Sequence, residues 1–134
     1  MATIKSNYEG SLRTSAIHVK SGNQFITDAP VDNNGKGETF SPTDTVAAAL
    51  GSCMMTVMAI AGEKKGIDMT GMHLETSKVM SASPRRISAL QVQFHWDNCP
   101  IDQEQREWLK EIGRNCPVAL SLHPELKQEV NFYF

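Results

Sequence analysis

The chain has 134 residues, 40% hydrophobic and 21% charged, a globular balance that argues against disorder. Its formal net charge of −2 supplies no global electrostatic drive toward nucleic acid. A single domain, residues 1–134, is expected, long enough to bury a core without metal or disulfide staples.

The first residues, Met1 to Tyr8, contain no apolar secretory core, and three cysteines without such a signal read as reduced thiols of a cytoplasmic protein. Tyr8-Glu9-Gly10 leads into a turn, and Leu12 to Val19 reads as a strand. Ser21-Gly22-Asn23 is a second turn signal, after which Gln24 to Thr27 resumes extended structure. Asp28 to Glu38 is rich in Gly and Asn and poor in apolar residues, and reads as a surface loop. Ser41-Pro42-Thr43-Asp44 has the chemistry of a helix start: an N-cap hydroxyl, a proline in the first turn and an acid near the positive end of the dipole. That helix is expected to run to Lys64 or Lys65, before Gly66.

From Val46 to Ala61 the helix is apolar on nearly all sides, but too short for a bilayer span, which needs about 20 residues. It reads as a buried core helix, enclosed on most faces and in need of cover from a second chain. Met72 to Met80 and the alternating Leu90, Val92, Phe94 and Trp96 form two strands about the Ser83-Pro84-Arg85 turn. Asp102 to Asn115 is a second helix whose apolar face continues to Cys116. Val130, Phe132 and Phe134 alternate as a final strand. The order β-β-β-α-β-β-α-β with hairpin links predicts an α+β fold with antiparallel sheet.

Two thiols stand out. Cys53 lies in the middle of the apolar helix and Cys116 at the end of the other, so both approach one core. Free cysteine is often no more than a small buried hydrophobe. A reactive Cys53 needs a cation to hold its thiolate against burial, and Arg13 and His18 are the candidates. Asp44 can orient an arginine through paired hydrogen bonds, or can serve only as a helix-dipole partner. Cys99, beside Pro100 at a strand end, carries no expected role. The four histidines show no metal-ligand spacing, so no metal site is expected. Gly35-Lys36-Gly37 lacks the strand and spacing of a phosphate loop.

Thr27-Asp28-Ala29-Pro30, Phe40-Ser41-Pro42-Thr43-Asp44, Ala49-Leu50-Gly51-Ser52-Cys53-Met54, Cys116-Pro117-Val118 and Ser121-Leu122-His123-Pro124 occur in this order, with the two cysteines 63 positions apart. Together they resemble the OsmC/Ohr family of osmotically inducible and organic-hydroperoxide-resistance proteins, along essentially the whole chain. The resemblance implies an intertwined homodimer, strongly bent antiparallel sheets around buried central helices, and active sites at the dimer interface. It implies a two-cysteine thiol peroxidase without a bound cofactor. Cys53 matches the peroxidatic cysteine and Cys116 the resolving one, while Arg13 matches the thiolate-stabilising arginine. Peroxidase members usually place a Glu ten positions before the cysteine; here Thr43 stands there and Asp44 follows, with Glu38 as an alternative partner for the arginine.

The activity so implied is reduction of organic hydroperoxides through a Cys53 sulfenic acid and a Cys53–Cys116 disulfide, with an external dithiol, of lipoyl type in the family, as reductant. The expected partners are the hydroperoxide, the dithiol and a second copy of the chain, not nucleic acid or membrane. The alternative is a non-catalytic module of the same fold that binds a small apolar ligand or thiol cofactor at the dimer interface. A Cys53–His123 hydrolase is a third reading, unsupported by any acyl-transfer motif.

Overall fold

The computed structural model describes all residues from Met1 to Phe134. The chain divides into two compact units, Met1–Thr45 and Val46–Phe134.

The first unit is an antiparallel sheet in the order β1 (Ile4–Gly10), β2 (Arg13–His18), β3 (Gln24–Asp28). Ser11 and Leu12 have φ of 53° and 63°, the left-handed pair a tight hairpin turn requires, so β2 begins at Arg13 and Leu12 belongs to the turn. The β2–β3 register sets Arg13 opposite Asp28 and Ile17 opposite Gln24. Few side chains of this sheet are buried: Ala16, Thr27 and Asp28 are, while Ile4, Tyr8, Phe25 and Ile26 are exposed. A short 3-10 turn, Val31–Asn33, interrupts the polar loop. The loop is not uniformly a surface feature, because Asp28, expected at its start, closes β3 and is buried at 1% exposure against an arginine.

The long helix α1 (Pro42–Glu63) starts in the first unit and supplies the core helix of the second. The Asp44 carboxylate accepts the Ser41 N–H at 2.8 Å, and the Ser41 hydroxyl accepts the Asp44 N–H at 3.1 Å, so the two residues cap the helix reciprocally. The helix is long and apolar enough to cross a membrane by length and composition alone. In the fold, Ala47, Leu50, Met54 and Met58 form a buried stripe at helical spacing. Gly51 and Gly62 are buried beside it, but Ala48, Ala49, Ser52, Thr56 and Ile60 are exposed, so the enclosure expected on most faces is incomplete within one chain.

In the second unit, β4 (His73–Ala82), β5 (Arg85–His95) and β6 (Lys127–Tyr133) form a sheet in that order. Leu90, Val92 and Phe94 on β5 are wholly buried and pack with Leu50, Met54 and Met58 in one core. The strands β4 and β5 are an antiparallel hairpin, but β5 and β6 pair in parallel, a departure from the all-antiparallel expectation. The cause is the link: α2 (Gln103–Arg114) and the short α3 (Pro117–Ser121) carry the chain back across the sheet before it re-enters as β6. An Asp102–Gln105 capping box starts α2, which buries Leu109 and Gly113. A Cβ on Gly113 would lie 2.7 Å from the Met58 sulfur, so glycine is what lets α2 approach α1 there.

Candidate functional site

The two candidate thiols both belong to the second unit. Cys53 lies on α1 between the buried stripe residues Leu50 and Met54 and the exposed Ser52 and Thr56, and is half-buried. Gly51, two positions earlier, lies against β4: a Cβ there would be 2.9 Å from Leu74 Cδ1 and 3.2 Å from Thr76 Oγ1. That close approach sets how deep this turn of α1 sits on the sheet.

Cys116 follows α2 and occupies the N-cap position of α3. Its Sγ accepts the Ala119 N–H at 3.4 Å, and Pro117 at the first helical position suits a helix start without a lost donor. The residue is buried at 1% exposure. Burial pushes its thiol above the ordinary value; the Ala119 N–H opposes the shift, and the neighbouring Cys53 thiol adds to it. The two thiols are therefore close enough to influence each other's ionisation. Neither is in a disulfide, nor is the half-buried Cys99, whose carbonyl lies 3.5 Å from Arg106 Nη2.

Charged side chains form a cluster in the first unit. Arg13 donates from Nε to Asp28 Oδ1 at 2.7 Å and from Nη2 to Asp28 Oδ2 at 2.8 Å, a two-point fork. The same Nη2 reaches Glu38 Oε2 at 3.0 Å. Glu38 also donates its backbone N–H to Asp28 Oδ2 at 3.2 Å. The Arg13 hydrogen bond holds the Asp28 carboxyl below its ordinary value, against the opposing effect of burial. The acids hold the Arg13 guanidinium pKa above its own.

Cys53 and Cys116 come together; Arg13 and Glu38 come together; Asp44 bonds Ser41 at the start of α1. Asp28 went unread. Its signal was available, since a turn centred between Lys20 and Ser21 places Arg13 and Asp28 opposite each other. His18 bonds Ser21 at 2.6 Å within the hairpin turn, and His123 accepts the Glu125 N–H at 3.0 Å. No group of three or more His, Cys, Asp or Glu side chains is arranged to hold a metal ion.

The site is thus a half-buried helix thiol beside a buried second thiol in an α+β chain. Residues 35–131 match the family model described as OsmC-like protein, and the chain belongs to the OsmC family. The solved structure of a candidate osmotic stress induced and detoxification response protein from Psychrobacter arcticus 273-4 is 45% identical, with a TM-score of 0.95 over 99% of this chain and 96% of that one. An organic hydroperoxide resistance protein OsmC from Legionella pneumophila shares the fold at 14% identity, with a TM-score of 0.74 over 100% of this chain and 98% of that one. The organic hydroperoxide resistance protein OhrB of Bacillus subtilis does so at 16% identity, with a TM-score of 0.65 over 98% of each chain. No curated protein matches the chain.

Proposed function

We propose that the protein is a two-cysteine thiol peroxidase that reduces organic hydroperoxides. The observation that carries this reading is the asymmetric thiol pair. Cys53 is partly accessible on α1, while its neighbour Cys116 is buried and held protonated by its surroundings. A peroxide can therefore reach Cys53 and not Cys116, which separates the attacking sulfur from the resolving one.

The Cys53 thiolate attacks the distal peroxide oxygen. The O–O bond breaks, the alcohol leaves with a proton from solvent, and Cys53 becomes a sulfenic acid. The Cys116 sulfur then attacks the sulfenic sulfur, water leaves, and a Cys53–Cys116 disulfide forms. An external dithiol, of lipoyl type by family resemblance, returns both thiols and is itself oxidised to a disulfide. Arg13 supports the Cys53 thiolate in this reading, with Asp44 or Glu38 as the carboxylate that partners the arginine.

The protein acts as a cytoplasmic homodimer. The exposed Ile4, Tyr8 and Phe25 of the first sheet and the open face of α1 are the apolar surfaces that a second copy would cover. Alkyl hydroperoxides are favoured over hydrogen peroxide in this reading, because only an alkyl tail gains from leaving water.

The test is peptide mapping after brief treatment with stoichiometric cumene hydroperoxide, with hydrogen peroxide in parallel. A Cys53–Cys116 link that forms faster with the organic peroxide, spares Cys99 and is absent from Cys53→Ser is expected. Untouched thiols in the folded protein would overturn the reading in favour of a ligand-binding module.

A further inference from the structure

We propose that Gln128 is a positioning residue for Cys116, holding its sulfur within reach of Cys53 by way of α3. This rests on the reading that Cys116 resolves the Cys53 sulfenic acid, and it adds a side chain of β6 to that step.

The side chains of β6 alternate in exposure. Gln128, Val130 and Phe132 are half-buried, whereas Lys127, Glu129, Asn131 and Tyr133 are exposed. Gln128 is thus the polar member of the inward row, and it stands in register with the wholly buried Leu90 of β5. Among apolar neighbours an amide costs free energy unless its hydrogen-bonding groups are used. Gln128 uses its Nε2, which donates to the Ala119 carbonyl at 2.9 Å. It also borders a cavity of about 210 Å³ with Met54, Arg114 and Val130. Packing alone therefore does not fix the amide; the bond to Ala119 does.

Ala119 is the central residue of α3 and is buried. It is held from two sides. Its N–H donates to Cys116 Sγ at 3.4 Å, and its carbonyl accepts the Gln128 amide. A helix of five residues closes too few internal bonds to hold itself, so outside contacts set its place. The Ala119 carbonyl lies in the last turn, where a helix leaves its acceptors for outside partners. Gln128 is such a partner, and its own strand is fixed by the parallel ladder with β5. That ladder lies over the core that contains Leu50 and Met54, the buried residues on either side of Cys53 along α1. The Gln128 amide therefore ties the Cys116 sulfur to the same core that seats Cys53. Two sulfurs seated on one rigid core meet at a high effective concentration, and a loose α3 would lower it.

The test compares wild type, Gln128→Met and Gln128→Glu in the full chain. Methionine keeps the length and loses the donor; glutamate keeps the shape and, when ionised, can only accept. After addition of cumene hydroperoxide, Cys53 sulfenic acid is trapped with dimedone and the Cys53–Cys116 link is followed by peptide mapping. Both variants are expected to oxidise Cys53 at the wild-type rate and to form the link about fivefold more slowly, the effect of one neutral hydrogen bond. Without peroxide, the same proteins are equilibrated in glutathione redox buffers. The ratio of squared reduced glutathione to oxidised glutathione at half-reduction is expected to fall by about fivefold in both variants. Circular dichroism reports folding; if Gln128→Met does not fold, Gln128→Glu decides alone. A purely structural role would lower the urea midpoint while leaving the link rate and the glutathione ratio unchanged, and that result overturns the proposal. A wild type that forms no Cys53–Cys116 link in oxidised glutathione overturns it as well. A shifted glutathione ratio in a protein that does not react with peroxide would refute the peroxidase and keep the role of Gln128. Link formation by peroxide at one rate in all three proteins, with one glutathione ratio, would do the reverse.

Discussion

Gly51 offers the sharpest test of how α1 is seated, through the substitution Gly51→Ala. In an open helix interior this change stabilises by about 1 kcal/mol, because glycine has more backbone entropy to lose than alanine. Here the new methyl would meet Leu74 Cδ1 at 2.9 Å, Leu74 Cδ2 at 3.2 Å and Thr76 Oγ1 at 3.2 Å. The leucine tip can rotate away, but Thr76 is β-branched on a strand and stiff about χ1. Forcing a methylene-sized group into such a contact costs about 1–3 kcal/mol. The balance is a net loss of about 1 kcal/mol, which for a domain of this size lowers Tm by about 3–5 °C. Urea unfolding of the reduced protein should show the loss as a lower midpoint at unchanged slope. The double variant Gly51→Ala/Leu74→Ala should recover part of it, with a favourable coupling of at least about 0.5 kcal/mol. A Gly51→Ala protein more stable than wild type would refute the reasoning, since the propensity gain would then exceed any crowding on β4.

Cys116 should be the slower of the paired cysteines to react with iodoacetamide at pH 8, because burial raises its thiol pKa; equal rates for Cys53 and Cys116 would contradict that. The raised folded-state pKa also means that its contribution to stability is present below the ordinary thiol value and is lost as pH rises through the folded one. Asp28 has the opposite sign: its lowered carboxyl pKa stabilises the fold above the unfolded value of about 4, and that stability fades as pH falls further. The Tm difference between wild type and Asp28→Asn should therefore shrink between pH 6 and pH 3, and a constant difference would count against the ion pair as its source. Asp102→Ala removes the side chain that accepts the Gln105 N–H at 2.9 Å and should cost about 1 kcal/mol by urea unfolding, whereas Asp102→Ser should cost only a fraction of that.

What could be read ahead of the structure was what local chemistry encodes. The start of α1 was legible because Ser41, Pro42 and Asp44 each satisfy a distinct need of a helix N-terminus. The β4–β5 pair was legible because Leu90, Val92 and Phe94 alternate with polar residues around a proline turn. The direction of β6 was not, since two-residue alternation is the same in parallel and antiparallel strands; only the intervening helix implies a crossover. The five-residue α3 is too short for any periodic signal, and a cysteine N-cap is outside the usual capping set. Both thiols stood out because they lie at apolar helical positions. Asp28 was missed because a loop-like composition, Asp-Ala-Pro followed by Asp-Asn-Asn-Gly, concealed that its first residue closes a strand opposite an arginine.

Cys53 sits on the central helix and Cys116 on the crossover that leads into β6, 63 positions later. A bond between them would turn the whole second sheet's hairpin and α2 into a closed covalent ring. Chain-entropy reasoning puts the loss of freedom in the unfolded state of such a ring at about 4 kcal/mol, a large share of the stability of an ordinary domain. Oxidation would then do more than store two electrons: it would make the folded chain harder to open, and reduction would release it. A catalytic cycle through this pair would carry the polypeptide between a ring and a line at every turnover, with its resistance to unfolding rising and falling in step.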